Sequence, residues 1–166
     1  MLAGVRAAPA SADCVGDAAI PTEATASQAA ATLVCDINAV RARYGLGGLR
    51  PDLRLRFVAT ALVADMARSG KLSHVDSAGR DLTARVAATA YLRRPWRPLV
   101  LENIAWAEGS LASPSSILDD WMASAEHREK LLDPGVTDLG VAVAVRNGTY
   151  FAADFGSRGT ARAAAE

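Results

Sequence analysis

The clearest structural signal in the chain lies in LGVAVAVRNGTYFAADFG, residues 139–156. Two apolar runs, LGVAVAV and TYFAADFG, stand close on either side of the dipeptide Asn147-Gly148. Asn-Gly between two apolar runs is typical of a two-residue β-hairpin with a type I′ turn. This stretch therefore predicts a pair of antiparallel strands.

Two amphipathic helices are predicted ahead of the hairpin, over about residues 27–44 and 51–70, because apolar residues recur there at helical spacing. Their inward stripes are Leu33, Ile37, Val40 and Tyr44 in the first, and Leu55, Val58, Leu62 and Met66 in the second. A shorter helix is expected over about 80–88, and the hydroxyl cap and first-turn proline of Ser113-Pro114 predict the start of a fourth. The apolar run LVLENIAWA, residues 99–107, is expected to form a strand. This order predicts an α+β domain with a small antiparallel sheet.

Length, composition and charge exclude several classes of protein. The 166 residues fit one domain, and 51% apolar with 22% charged residues is the balance of a globular chain with a real core. Eighteen basic and eighteen acidic residues cancel, so net charge gives no reason to expect a nucleic acid as partner. No apolar run approaches the roughly 20 residues that cross a bilayer, so no membrane span is predicted. We expect a monomer.

The first thirteen residues, MLAGVRAAPASAD, do not resemble a folded element. Ala10-Ser11-Ala12 fits the small-residue motif after which signal peptidases cut, although Arg6 interrupts the apolar centre that a complete signal peptide needs. Residues 1–13 are therefore either the remnant of a signal peptide or a disordered leader. Residues 14–157 are expected to form the domain, and residues 158–166 a disordered tail.

The chain contains two cysteines, Cys14 and Cys35, and their spacing does not suggest zinc. Near the start of an exported domain, such a pair most simply forms a disulfide that ties the leader to the first helix. Closing a loop of this size stabilises a protein by about 3 kcal/mol in the chain-entropy model. The alternative is two free thiols in a cytosolic protein, because the compartment governs whether disulfides persist.

Three titratable residues are candidates for chemistry. His74 lies in the polar segment KLSHVDSAGR, His127 follows the fourth predicted helix, and Glu102 lies inside an apolar strand, where a carboxylate needs a partner. Two histidines and one glutamate are the ligand set of an open catalytic zinc site, and they also suffice for general acid/base catalysis. Spacings of 28 and 25 residues do not by themselves bring the three together. The chain has no HExxH, G-x-S-x-G or P-loop motif.

Five motifs in a fixed order, within about residues 33–156, resemble a bacterial CAP domain. CAP stands for the cysteine-rich secretory, antigen 5 and pathogenesis-related superfamily, also called SCP-like. The motifs are INAVRARYGLGGL, LVADMARSGKLSHVDSAGR, ENIAW, WMASAEHREKLLDP, and LGVAVAV with the FAADFG ending. The resemblance implies an α-β-α sandwich, secretion to an extracytoplasmic location, and a cleft lined by two histidines and acidic residues.

Carried over residue by residue, the resemblance assigns His74, Glu102 and His127 to this cleft. Many family members have a second cleft acid three residues after the tryptophan, and here that position is Ser124. A serine can hold a water near the site but cannot supply the charge, which weakens any two-carboxylate mechanism. If the segment is helical, Ser124 lies one turn before His127 on the same face.

The leading hypothesis is a secreted binding module. Its cleft would take a divalent cation, for which zinc held by His74, His127 and Glu102 is the first candidate, and a small lipid, sterol or cell-envelope component is the expected physiological ligand. The rival is a hydrolase in which the cation or a histidine activates water and Glu102 orients it. The catalytic residues would then be the same three, with Ser124 in place of the second acid. A third possibility is a structural brace between helix and sheet.

Overall fold

The structure is a computed structural model that describes residues 14–92 and 99–158. The leader predicted at residues 1–13 and the predicted tail beyond Arg158 lie outside the described residues. The helices are α1 (Ala26–Arg43), α2 (Leu53–Ser69), α3 (Leu82–Ala87), α4 (Pro114–Ala123) and α5 (Ala125–Leu131), with a 3-10 turn at Gly109–Ala112. The strands are β1 (Arg50–Pro51), β2 (Leu99–Ala107), β3 (Asp138–Val145) and β4 (Thr149–Ser157).

Helix α2 begins and ends at residues whose chemistry suits a helix terminus. The carboxylate of Asp52 accepts hydrogen bonds from the backbone N–H of Arg54 and of Leu55, at 2.8 and 3.2 Å. Gly70 ends the helix in the left-handed conformation, with φ of 68°. The predicted inward stripe of this helix is buried as expected, whereas Tyr44 of the α1 stripe is 58% exposed, because α1 ends before it.

Helix α4 starts at Pro114 as predicted, and the hydroxyl of Ser113 accepts a hydrogen bond from Ser116 N–H at 3.2 Å. The helix then stops at Ala123. Ser124 has extended backbone angles, φ −84° and ψ 125°, and α5 begins after it. The shared face of Ser124 and His127 was expected only if the segment is helical, and this condition is not met because Ser124 is outside both helices.

The sheet has the strand order β1-β3-β4-β2. The predicted hairpin joins β3 to β4, and both turn residues have positive φ, 47° at Asn147 and 105° at Gly148, as a type I′ turn requires. β2 pairs antiparallel with the far edge of β4. The short β1 pairs parallel with β3, so the sheet is mixed where the sequence predicted an antiparallel one.

Helices cover both faces of the sheet, which confirms the α-β-α sandwich. Adjacent residues of β4 point to opposite faces, because side chains alternate along a strand. Phe151 packs in the cluster formed with α1 and α4, which includes Leu33 and Trp121. Ala152 packs in the cluster formed with α2, which includes Met66. Within residues 14–92 and 99–158, no helix is both long and apolar enough to cross a membrane.

A disulfide joins Cys14 to Cys35, as predicted, with the two Cα atoms 5.9 Å apart. The bond attaches the segment before α1 to the middle of that helix. Further contacts hold the same segment: the Thr32 hydroxyl donates to the Val15 carbonyl at 3.0 Å, and Ser115 N–H donates to the Asp17 carbonyl at 2.9 Å. The segment is therefore part of the folded domain.

Asp36, which follows Cys35, is a buried acid that opposes folding at neutral pH. It is 8% exposed, and its Oδ2 has no hydrogen-bond partner among the described residues. Burial, and then the charge of Asp17, raise the pKa of Asp36 to about 6. The folded state thus binds this proton more tightly than the unfolded chain, so stability is lost as the pH rises through the folded pKa.

We expect Asp36→Asn to raise the free energy of unfolding by about 1–2 kcal/mol near neutral pH, an amount discounted for solvent screening. The gain should vanish below about pH 4, where the aspartate is protonated in both states. Urea denaturation at both pH values measures the difference, with Asp119→Asn on the exposed face of α4 as control. An equal effect at both pH values would contradict the electrostatic explanation.

Candidate functional site

Glu102 is the centre of the predicted site. It lies in the middle of β2 and is 4% exposed, so its charge needs compensation. Arg85 of α3, equally buried, supplies it through an ion pair between its guanidinium and Glu102 Oε2. Nη1 of Arg85 donates to the carbonyls of His74 and Arg80, at 2.7 and 3.0 Å. One arginine therefore fixes both the buried acid and the loop that carries His74.

His74 is bonded directly to Glu102, with 2.8 Å between Nδ1 and Oε1. The histidine side chain is 50% exposed, whereas that of Glu102 is 3% exposed. When Nδ1–H donates to the carboxylate, the lone pair of the neutral ring is on Nε2. A carboxylate that holds one ring nitrogen in this way fixes the tautomer and the orientation of the ring. The structure thus brings together two of the three residues that the sequence singled out.

Asp154 is a second buried acid that the sequence analysis missed. It lies on β4 directly opposite Glu102 and is fully buried. Neither of its oxygens accepts a hydrogen bond from a donor among the described residues. Burial, and then the charge of Glu102, raise the pKa of Asp154 well above its usual value. Since Arg85 compensates only one negative charge, this environment favours the protonated form of Asp154.

His127 lies on α5. Burial of its ring, and then the charge of Lys130, lower the pKa of His127, which favours the neutral ring at pH 7. Its Nδ1 is buried and has no hydrogen-bond partner within the described part of the chain. Asn103, the residue after Glu102, donates from its amide to the His127 carbonyl at 3.0 Å and ties α5 to β2.

An open cleft of about 360 Å³ lies in front of Glu102. The exposed ring of His74 is on its wall, and Lys130, which bonds Glu126 at 2.9 Å, is on its rim. The other lining residues are Asp81, Leu82, Thr83, Val100 and Leu101. His127 is not among the residues that line this cleft. The lining of the cleft therefore combines apolar side chains with polar and charged ones.

The three expected zinc ligands do not converge as a ready-made coordination shell. In the two described ranges, the only His, Cys and acid side chains that place three ligand atoms within 4.8 Å of one another are Cys14, Cys35 and Asp36, whose sulfurs form the disulfide. Both oxygens of Glu102 are engaged, one by His74 and one by Arg85. Glu102 therefore accepts a hydrogen bond from the His74 ring and is not free to bind an ion directly.

The described residues hold no hydroxyl or thiol hydrogen-bonded to either histidine ring, so no activated nucleophile is present among them. Ser124 lies between α4 and α5, and its side chain makes no capping bond to α5. Arg128 donates to the Met122 carbonyl at 2.9 Å. What the arrangement provides is an oriented, accessible imidazole beside a cleft.

Similarity to known proteins extends over most of the chain. The pattern of the cysteine-rich secretory protein family (CAP) matches residues 35–155. An extracellular protein containing a SCP domain, from Bacillus anthracis, is 25% identical with a TM-score of 0.68; the match covers 78% of this chain and 40% of that chain. A search of curated proteins found no significant match.

Two further solved structures share the fold. An outer surface protein from Borrelia burgdorferi is 19% identical with a TM-score of 0.67, over 80% of this chain and 94% of that chain. A cysteine-rich secretory protein from Staphylococcus aureus is 18% identical with a TM-score of 0.63, over 82% of this chain and 40% of that chain. This chain thus matches well under half the length of the Bacillus and Staphylococcus proteins. Together with the disulfide, the extracellular and outer-surface neighbours suggest an extracytoplasmic location.

Proposed function

Because this chain belongs to the cysteine-rich secretory protein (CAP) family, we propose that it is an extracytoplasmic binding module whose cleft takes a divalent cation. The observation that carries the proposal is the 2.8 Å bond from His74 Nδ1 to buried Glu102. It leaves Nε2 of a half-exposed ring as an oriented donor atom beside the cleft. Imidazole nitrogen suits zinc and other late first-row metals.

His127 is the second proposed ligand, because it lies on α5 next to Glu126, which lines the cleft. Its lowered pKa favours the neutral ring that metal binding requires. Glu102 is proposed to act behind His74, since a carboxylate bonded to a metal-ligating histidine raises the basicity of that ligand. Water would complete the shell around two protein ligands. A bound zinc ion supplies Lewis-acid character and a more acidic water.

A calorimetric zinc titration of chelator-stripped protein at neutral pH tests this proposal. We expect stoichiometric binding that disappears in the His74→Ala/His127→Ala double variant and weakens by about 10–100-fold in Glu102→Gln. Binding should also weaken in acid, because protons compete with the cation for the ring nitrogens. Ser124→Ala, which alters a neighbouring residue outside the proposed ligand set, is the matched control and should bind as the wild type does.

Absence of binding in the wild type, or binding that survives in the double variant, would overturn the proposal. Circular dichroism and thermal denaturation of each variant separate loss of the site from loss of the fold. Weaker zinc binding in Ser124→Ala, with binding unchanged in the histidine double variant, would place the ion closer to α4 and contradict the proposed ligands.

Hydrolysis is a second candidate, which the His74–Glu102 pair favours because a general base needs such an orienting carboxylate. The base would act on a water, since no hydroxyl or thiol within the described ranges is hydrogen-bonded to either histidine ring. Turnover of a peptide or ester substrate that is lost in Glu102→Gln, at a temperature where circular dichroism shows the variant to be folded, would establish it. Turnover that persists in Glu102→Gln would exclude this pair as the source.

A further inference from the structure

A second surface, at the N-terminal end of α2, exposes two large apolar side chains. Leu53 is 79% exposed and Phe57 is 69% exposed. Their spacing of four residues places them on one face of the helix. The inward stripe of α2 begins at Leu55, so neither side chain contributes to the core. Exposure of both has no structural benefit within this domain.

Arginines surround this apolar pair. With about 3.6 residues per turn, Arg56 lies about 60° to one side of Leu53 and Arg54 about 100° to the other. Arg50, just before the helix, has a side chain that is 73% exposed, and that of Arg54 is 46% exposed.

Two acids compensate part of this charge. Asp138, 1% exposed, pairs with Arg50 at 3.1 Å, and Asp52, 9% exposed, caps α2 and lies 3.9 Å from Arg54. Arg158 pairs with both acids. Because these three arginines and Arg56 outnumber the two acids, the local surface keeps a positive charge although the whole chain is neutral.

An apolar groove of about 330 Å³ opens beside the exposed pair, between α1 and the β1–β3 edge of the sheet. Leu53 and Arg56 lie at its α2 end. The remaining apolar lining includes Ala30, Val34, Pro51, Leu139 and Val141. This groove shares no lining residue with the cleft beside His74.

We infer that this surface docks the protein on an anionic lipid layer. Leu53 and Phe57 enter the boundary between headgroups and acyl chains, while the arginines contact lipid phosphates. Exposed Leu and Phe beside Arg are the composition of interfacial segments that bind anionic lipid. The groove beside Leu53 accepts part of one acyl chain. Docking here leaves the His74 cleft free and does not depend on the proposed cation.

Sedimentation with lipid vesicles tests the inference. Wild-type protein is expected to bind phosphatidylcholine vesicles that contain phosphatidylglycerol, and to bind weakly to vesicles of phosphatidylcholine alone. Leu53→Ser/Phe57→Ser should lower the partition coefficient by about tenfold or more. Each of Arg54→Gln and Arg56→Gln should lower it by roughly fivefold, with the loss reproduced in the wild type by added salt.

Leu111→Ser is the matched control, because Leu111 is 68% exposed in the 3-10 turn, outside this surface. It should bind as the wild type does, and the thermal midpoints of all variants should stay close to that of the wild type. Equal binding to both kinds of vesicle, or no loss in Leu53→Ser/Phe57→Ser, would overturn the inference. Two other results would also overturn it. One is a protein that does not bind vesicles but forms a dimer, with the dimer lost in the double variant. The other is uptake of a fluorescent fatty acid without vesicle binding.

Discussion

Arg85→Met is expected to lower the free energy of unfolding by about 3–5 kcal/mol, because it leaves the buried Glu102 without its cation. Methionine replaces the aliphatic stem of arginine and keeps its apolar contacts, so the loss reports mainly the guanidinium group. The two side chains are each 3% exposed, so water cannot take the place of the guanidinium. Urea denaturation at neutral pH measures the loss.

The double variant Arg85→Met/Glu102→Gln distinguishes charge from packing. Removal of both charges should recover much of the stability, because a neutral amide is far cheaper to bury than a carboxylate. Arg68→Met is the control: Arg68 pairs with Asp65 but its side chain is 63% exposed, so the cost should be below about 1 kcal/mol. A double variant as unstable as the single one would assign the effect to lost contacts of Arg85 with the His74 loop.

Gly140→Ala is expected to cost about 3 kcal/mol or more, the upper end for overpacking of a well-packed interior. A Cβ at this position would lie 2.1 Å from the backbone nitrogen of Arg56 and 2.2 Å from the carbonyl carbon of Leu55. These atoms belong to the backbone of α2, which cannot rotate aside as a side chain does. The whole first turn of α2 must therefore move away from β3.

Thermal and urea denaturation measure this loss, and Gly47→Ala is the matched control. A Cβ at Gly47 meets no atom within 4 Å, and its φ is not in the left-handed region, so its effect should stay within about 0.5 kcal/mol. If Gly140→Ala were as mild as the control, α2 would have to be loosely held against the sheet. Its close packing with β3 and β4 through Leu62 and Met66 makes that outcome unexpected.

Features with a local chemical cause were predictable from the sequence. Asn147-Gly148 determines its own turn, and Ser113-Pro114 starts its own helix, because cap and turn residues act on neighbouring backbone groups. Burial of the α2 stripe follows from helical spacing in the same way. By contrast, β1 has two residues, too few to produce any periodic pattern.

The helix break at Ser124 was not predictable for a related reason. The following segment, AEHREK, is made mostly of good helix formers, and no glycine or proline marks the interruption. Only the tertiary arrangement shows that α5 leaves α4 at this residue. A face shared by Ser124 and His127 requires one continuous helix, which the break at Ser124 prevents.

The site was predictable only in part. Glu102 attracted notice because an acid inside an apolar strand must have a partner, and Asp154 in the run FAADFG carried the same signal without being recognised. The sequence did not indicate which of its many arginines compensates Glu102, because Arg85 and Glu102 meet only through the packing of α3 against the sheet. Pairings between distant segments are set by topology and leave no spacing in the sequence.

The pairing of β2 with β4 also dictates when the site can form. Glu102 pairs with Asp154 on β4. This strand leaves the ribosome or a translocation pore long after His74 and Arg85 have emerged, so the pairing can form only late. Contacts between such distant segments close late and slow the folding of a chain. Until then, both edges of β2 are open to pairing with other chains, whereas in the finished sheet β4 covers one of them. Loss of β4 by proteolysis would therefore abolish the site, even though both histidines precede that strand.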